Sequence, residues 1–319
     1  MNDRLYQALI AEVKKMFPKH SAMVNTLADI LRIERGAVYR RLRKEVPFTF
    51  SEIIIIAKYL NISLDSIVGI EGTKSVQCQL RLPDFISPQE VDYQILDIYI
   101  KFLQSLTQSE ISETATISNV FPHDLFSEFH YLLLFYLFVW NYHYNNDKIK
   151  PFHEISIPSK MNELLNKHML EMKNFNKTYY VFDSRIFRLF VDRVNYFNSI
   201  RLVEKTDVLK IKEDLLSMLD YLEKIAITGQ FKETGNAVNL YISDIDITTS
   251  YTYMETKNTH FSLVKAFILS YVTSFDEDTF EKMKEWIHSI IKISTLITLT
   301  NEKQRVLYFE KQRKIVNEL

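Results

Sequence analysis

Glycine is scarce in this chain of 319 residues, occurring only at Gly36, Gly69, Gly72, Gly229 and Gly235. Dinucleotide folds and phosphate loops need several glycines so that backbone can approach a ligand, and none of the patterns GxGxxG, GxxxxGK or GxSxG is present. Cysteine is scarcer still. The single Cys78 cannot close an internal disulfide, which points to a reducing, cytoplasmic compartment. Long hydrophobic runs are also missing. The most apolar stretch, Tyr131–Trp140 (YLLLFYLFVW), has 10 residues, about half of the roughly 20 that a membrane span needs. The opening MNDRLYQALIAEVKKMF is polar and amphipathic, without the apolar centre of an export signal. No nucleophile–base pair stands out. His123, His130 and His143 lack the i,i+4 spacing of a helical metal pair, and Asp244 and Asp246 beside Ser243 alternate as solvent-facing strand residues do. The expectation is a protein with no catalytic residue, no metal, no cofactor and no membrane.

What is present is a local concentration of positive charge. The formal net charge is −1, yet residues 1–72 carry 11 Lys and Arg against 8 Asp and Glu, and the remainder 28 against 32. Within the head, Leu27–Glu45 (LADILRIERGAVYRRLRKE) gathers Arg32, Arg35, Arg40, Arg41, Arg43 and Lys44, with Glu34 the only acid among them before Glu45. A basic module on a mildly acidic body suits an anion as partner.

Five short helices are expected in this head. Asp3–Met16 places Leu5, Leu9, Ile10 and Val13 at helical spacing, and Pro18 stops it. Ser21 can cap a second helix, Ala22–Leu31, with Val24, Leu27, Ala28 and Leu31 inward. A third, Arg35–Lys44, follows a tight turn, with Val38 and Leu42 inward and Glu34 as its cap. The stretch FTFSEIIIIAKYL could pass for a strand. However, Thr49 and Glu52 stand at capping-box spacing, with Phe48 and Ile53 placed as a hydrophobic staple, so it reads as a helix. Ile54 and Ile55 fall off its apolar stripe and should pack on a second face. Leu64–Val68 is the fifth.

Taken in register, LADILRIERGAVYRRLRKEVPFTFSEIIIIAKYLNISLDSIVG resembles the Cro/C1-repressor (XRE) type of helix-turn-helix domain. The likeness rests on the Leu27-Ala28 pair, apolar Ile33 in the turn, Val38 in mid-helix, and AKYLNISLDSI at 57–67. Arg32 stands where that family usually has glycine, and Glu34 where it usually has serine. The resemblance implies a λ-repressor-like DNA-binding domain whose third helix enters a major groove. On that helix Arg35, Gly36, Tyr39 and Arg40 are the expected base-reading positions, and Lys19, Arg43 and Lys44 the expected phosphate contacts.

A boundary is expected within 69–90, giving a DNA-binding domain over 1–72 and a body over 73–319. Val76, Cys78, Leu80 and Leu82 alternate with polar residues as a strand would. Beyond, helices are expected over Gln89–Ser105 (Val91, Ile95, Ile98, Phe102 and Leu106 on one face), Asp124–Tyr144, Ser159–Phe175, Arg185–Val203 and Asp207–Ile227. Thr178–Phe182 reads as a short strand. Ala237–Thr256 and Thr259–Phe275 are β-rich, although the second also fits a helix. A helix from Asp276, with Ser274 and Glu277 at capping-box spacing, and a last one over Asn301–Leu319 close the chain. The expected class is therefore mainly α with a small antiparallel β element (α+β): a five-helix head plus a larger helical body.

The function expected is that of a sequence-specific transcriptional regulator binding double-stranded DNA as a homodimer, with Leu125–Trp140 and the last helix as dimer surfaces. The alternative makes the body the working part, a receptor for a peptide or small-molecule effector. Peptide-sensing regulators share this layout, but their helical repeats recur at about 34 residues, and no such period is found here.

Overall fold

The computed structural model describes every residue except 1, 18, 19, 61, 63, 65–75, 77 and 145–149. The chain divides into two compact units, residues 1–77 and 78–319.

In the first unit, helices α1 (Asn2–Lys15), α2 (His20–Leu31), α3 (Arg35–Leu42) and α4 (Phe50–Leu60) enclose one core. Leu9 and Val13 of α1, Val24 and Leu27 of α2, Val38 of α3, Phe48, and Ile56 and Leu60 of α4 meet there. The α4 capping box is formed: the Glu52 amide donates to Thr49 Oγ1 at 3.2 Å, and the Thr49 amide to Glu52 Oε2 at 2.8 Å. Three expectations need correction. The second helix begins at His20, so Ser21 lies inside it rather than at its cap. The third ends at Leu42, leaving Lys44 in a left-handed conformation (φ 67°) beyond it. Ile54 and Ile55 are exposed, because one apolar stripe suffices to join α4 to so small a core. The expected fifth helix lies outside the described residues apart from Leu64.

The second unit is built on an eight-stranded mixed sheet in the order β1-β7-β6-β5-β2-β3-β4-β8. Its centre is three parallel strands: β2 (Ser112–Ser118), β3 (Lys177–Asp183) and β4 (Ala237–Ser243). An antiparallel meander of β5 (Tyr251–Thr256), β6 (His260–Ala266) and β7 (Ser270–Ser274) joins the other side of β2. The two-residue strands β1 (Gln79–Leu80) and β8 (Thr295–Leu296) close the edges antiparallel.

Helix α5 (Glu90–Thr107) precedes β2. Three helices, α6 (His123–Phe126), α7 (His130–Tyr144) and α8 (Ser159–Lys173), cross over from β2 to β3. Two more, α9 (Ile186–Ser199) and α10 (Lys205–Thr228), cross from β3 to β4. α11 (Glu277–Ile293) covers one sheet face, packing Phe280, Ile287 and Ile290 on Ala115, Ile117, Val181 and Tyr253. Tyr180, Phe182, Val238 and Leu240 of the opposite face join the main core with α7, α9, α10 and α12 (Glu302–Val316).

The expected class, mainly α with a small antiparallel element, is thereby corrected: parallel strands run through the middle of the body. Parallel strands covered on both faces lose the alternation that marks an exposed strand. Ser112–Ser118 (SETATIS) is buried at six of its seven positions, with threonine and serine supplying much of the burial, and so escaped a hydrophobic reading. The β-rich Ala237–Thr256 segment is two strands that are not neighbours: β4 within the parallel centre and β5 beyond its opposite edge, beside β2. Thr259–Phe275 holds the strands β6 and β7. In α5 the inward face is Ile100, Leu103 and Leu106, whereas Val91 and Ile98 are exposed. The Leu132–Asn141 stretch of α7 is buried along its whole length within its own unit, so it offers no dimer surface. α11 is capped by Asp276, whose carboxylate accepts from the Thr279 amide at 2.9 Å, rather than by Ser274. No helix among the described residues is long and apolar enough to cross a membrane.

Candidate nucleic-acid interface

The turn into α3 is made by Arg32, which adopts φ 53°. The Ile33 amide donates back to the Ala28 carbonyl at 3.1 Å and the Arg32 amide to that of Asp29 at 3.3 Å. This is the left-handed helix ending that glycine usually makes, held here by arginine at a steric cost of roughly 1–2 kcal/mol. Glu34 has the extended backbone of an N-cap, but its side chain accepts no cap hydrogen bond. The cap expected of that carboxylate is therefore absent, and the backbone does the work: the Ala37 amide donates to the Glu34 carbonyl at 2.9 Å. α3 ends by the same device. Glu45 N–H donates to Arg40 O and Lys44 N–H to Arg41 O, both at 2.9 Å, around left-handed Lys44.

Val38 is fully buried and Leu42 is half-buried against the core, which sets the rotation of α3. Arg41 is turned inward as well. Its Nη2 meets Glu52 Oε1 at 2.8 Å and its Nε meets Oε2 at 3.2 Å, a bidentate pair. Its guanidinium stands over Phe48, while Tyr6 Oη of α1 donates to the Arg41 carbonyl at 2.8 Å. Burial works against ionisation of Glu52, but hydrogen bonds from Arg41 and Thr49 together outweigh it and hold the carboxyl below its usual range. One arginine of the cluster thus ties α3 to α4 and is withdrawn from any ligand.

The others lie on the outer side. Arg35, Gly36, Arg40, Arg43 and Lys44 are exposed. Arg35 and Arg40 have no ion-pair partner among the described residues; Arg43 stands 3.6 Å from Glu45 in an exposed pair. A Cβ added at Gly36 would meet nothing within 4 Å, so the first turn of α3 is bare. Tyr39 is half-buried, with its ring stacked on His20 at 5.7 Å and the Arg43 guanidinium 5.9 Å from its centre. Lys19 lies outside the described residues.

In the body, Asp246 pairs with Arg185 at 2.5 Å, and no group of three metal-ligating side chains occurs among the described residues. A cavity of about 150 Å³ lies at the carboxyl end of β2, walled by α5, α6, α7, α8 and the meander. It brings His123 together with two residues that had no signal in the sequence, His168 of α8 and Lys265 of β6. The two imidazole rings meet at 5.3 Å between centroids, and Tyr99 stacks on His168 at 5.6 Å. Both ring nitrogens of His123 and Nδ1 of His168 are buried without a hydrogen-bond partner. Burial, assisted by His168 and Lys265, holds His123 well below the ordinary imidazole range. Burial likewise brings His168 down to about 4. Burial and then the charge of Arg193 bring the Lys265 ammonium down to about 7. Lone histidines and a lysine 97 residues apart carry no periodic pattern, so only the fold could join them.

No protein-family model, no curated protein and no solved structure matches this chain.

Proposed function

We propose that the first unit binds double-stranded DNA, with α3 lying in a major groove, and that the protein is a cytoplasmic transcriptional regulator of the Cro/C1-repressor type acting as a homodimer. The observation that carries this reading is the sorting of cations on one short helix. Arg41 is consumed by Glu52, while Arg35 and Arg40 stand exposed beside a bare Gly36 turn. A surface helix needs no such division merely to be soluble. Arginine is the side chain suited to bidentate contact with guanine O6 and N7, and a front turn lacking side chains lets the backbone sink between phosphates. Arg43 and Lys44, at the far end, are assigned to phosphate. Pairing of two such modules on half-sites about one helical turn apart supplies the affinity that one module lacks.

The test is binding of the full chain to genomic fragments, followed by variants at three positions. Arg40→Ala should abolish discrimination among fragments. Arg43→Ala should leave discrimination and lower the salt slope by about one unit. Gly36→Leu should leave the unbound fold intact, since nothing stands near that position, and weaken binding to every fragment. Equal binding to all fragments by the wild type and all three variants would defeat the base-reading assignment.

The second reading, that the body receives a small-molecule effector, is favoured by one observation: the cavity at the end of β2, with its unpartnered polar atoms.

A further inference from the structure

We infer that this cavity binds a small organic monocarboxylate, its carboxylate held by Lys265 with hydrogen bonds from His123 and His168, and its apolar part lodged against the aliphatic and aromatic walls. The inference does not rest on the DNA-binding reading.

Four observations converge on it. The first is position. Ligands of open sheets containing parallel strands settle outside the carboxyl ends of those strands, where the connections diverge. β2 is that place here: it is parallel to β3 on one side and antiparallel to β5 on the other, and Thr116, His123 and Asp124, at and just past its end, line the cavity.

The second is unspent hydrogen-bonding capacity. A buried imidazole normally finds a partner for at least one nitrogen, yet His123 has none at either nitrogen and His168 none at Nδ1. The Thr116 and Thr252 hydroxyls of the lining are already engaged, bonding each other at 2.9 Å.

The third is charge. Lys265 forms no ion pair among the described residues, and its Nζ stands 5.9 Å from the Tyr136 ring centre. Its largest influences are desolvation and the like charge of Arg193. Asp124, the one acid among the lining residues, is engaged by the Tyr180 hydroxyl, and burial keeps its carboxyl above the usual range. A cation held in an apolar site without a counter-ion is costly, and an incoming carboxylate relieves that cost.

The fourth is size and surface. Leu133, Leu137, Ile95 and Met254 make the walls largely apolar. A volume near 150 Å³ is about what a benzene molecule fills in a cavity of similar lining. The apolar part of the ligand is therefore an aromatic ring or a short branched chain, and a peptide is too large.

The experiment uses the full chain and three probes: benzoate, benzyl alcohol and inorganic phosphate. Affinity is measured by calorimetry, and location by the imidazole proton resonances of His123 and His168. Benzoate is expected to bind at least tenfold more tightly than benzyl alcohol and to shift both histidine resonances, with phosphate alone showing no binding. Lys265→Met should remove the preference for benzoate while retaining benzyl alcohol. The comparison of benzoate with its neutral analogue on the wild-type protein needs no variant to fold. The inference is overturned if the two organic probes bind equally, if neither binds, if benzoate shifts only resonances away from the cavity, or if Lys265→Met keeps the carboxylate preference.

Discussion

Arg40 and Arg41 are neighbours of identical chemistry with opposite fates, and the difference is one of rotation. Successive residues on a helix are about 100° apart, so burying Val38 turns Arg41 toward α4 and Arg40 toward solvent. The consequence is measurable. Arg41→Ala should destabilise the first unit by about 2 kcal/mol, because Glu52 is left half-buried without its bidentate partner. Arg40→Ala should leave stability within roughly 0.5 kcal/mol, as surface changes generally do. Amide exchange in α2 read on both variants checks this; equal losses of protection would show that the Arg41–Glu52 pair adds nothing. The sequence shows a crowd of arginines, but which of them is structural depends on Glu52, whose approach requires the turn between α3 and α4.

At the scale of elements, termini show the same dependence on context. Gly229 ends α10 with φ 71°, its amide donating to Ile225 O at 2.8 Å; any side chain there would be strained by the left-handed backbone and would have to displace the exposed Leu299, whose Cδ1 would stand 2.9 Å from a Cβ. Lys173, at the end of α8, is fully buried and reaches Glu128 at 3.3 Å and Glu233 at 3.1 Å, with its Nζ 4.8 Å from the Tyr221 ring centre. Lys173→Met should cost the second unit about 2 kcal/mol. That is less than breaking a fully buried pair, because both glutamates retain some access to water. Urea unfolding monitored by tryptophan fluorescence measures it, since Trp140 and Trp286 both lie in that unit; a gain in stability would mean that the ion triad is a net cost. Helices α8, α9 and α10 were legible from their apolar spacing to within a few residues at each end. β2 was not, since its burial comes largely from serine, threonine and alanine.

For the molecule as a whole, the half-buried imidazoles of His123 and His168 link folding to pH. The His168 pKa is depressed from 6.5 to about 4 in the folded state. Below about pH 6.5 the unfolded chain binds a proton that the folded chain refuses, so stability declines as pH falls from 6.5 to 4 and this contribution is fully lost below that. The loss is on the order of 3 kcal/mol, and His123, shifted the same way, adds to it. His168→Gln should flatten the fall in urea midpoint between pH 6.5 and 4.5 relative to the wild type. An unchanged pH dependence would mean that the imidazole is protonated in the folded protein.

Local pattern determined most of the head's helices. The periodicity of α1 to α4, the Thr49–Glu52 capping box and the concentration of positive charge on α3 arise within stretches of a dozen residues, where 3.6-residue spacing and end-capping are decided by near neighbours. Tertiary structure decided the rest. The order of strands, the parallel centre of the sheet and the meeting of His123, His168 and Lys265 depend on crossovers spanning tens of residues. No short-range signal encodes which distant strand will be a neighbour, so these features exist only once the chain has folded.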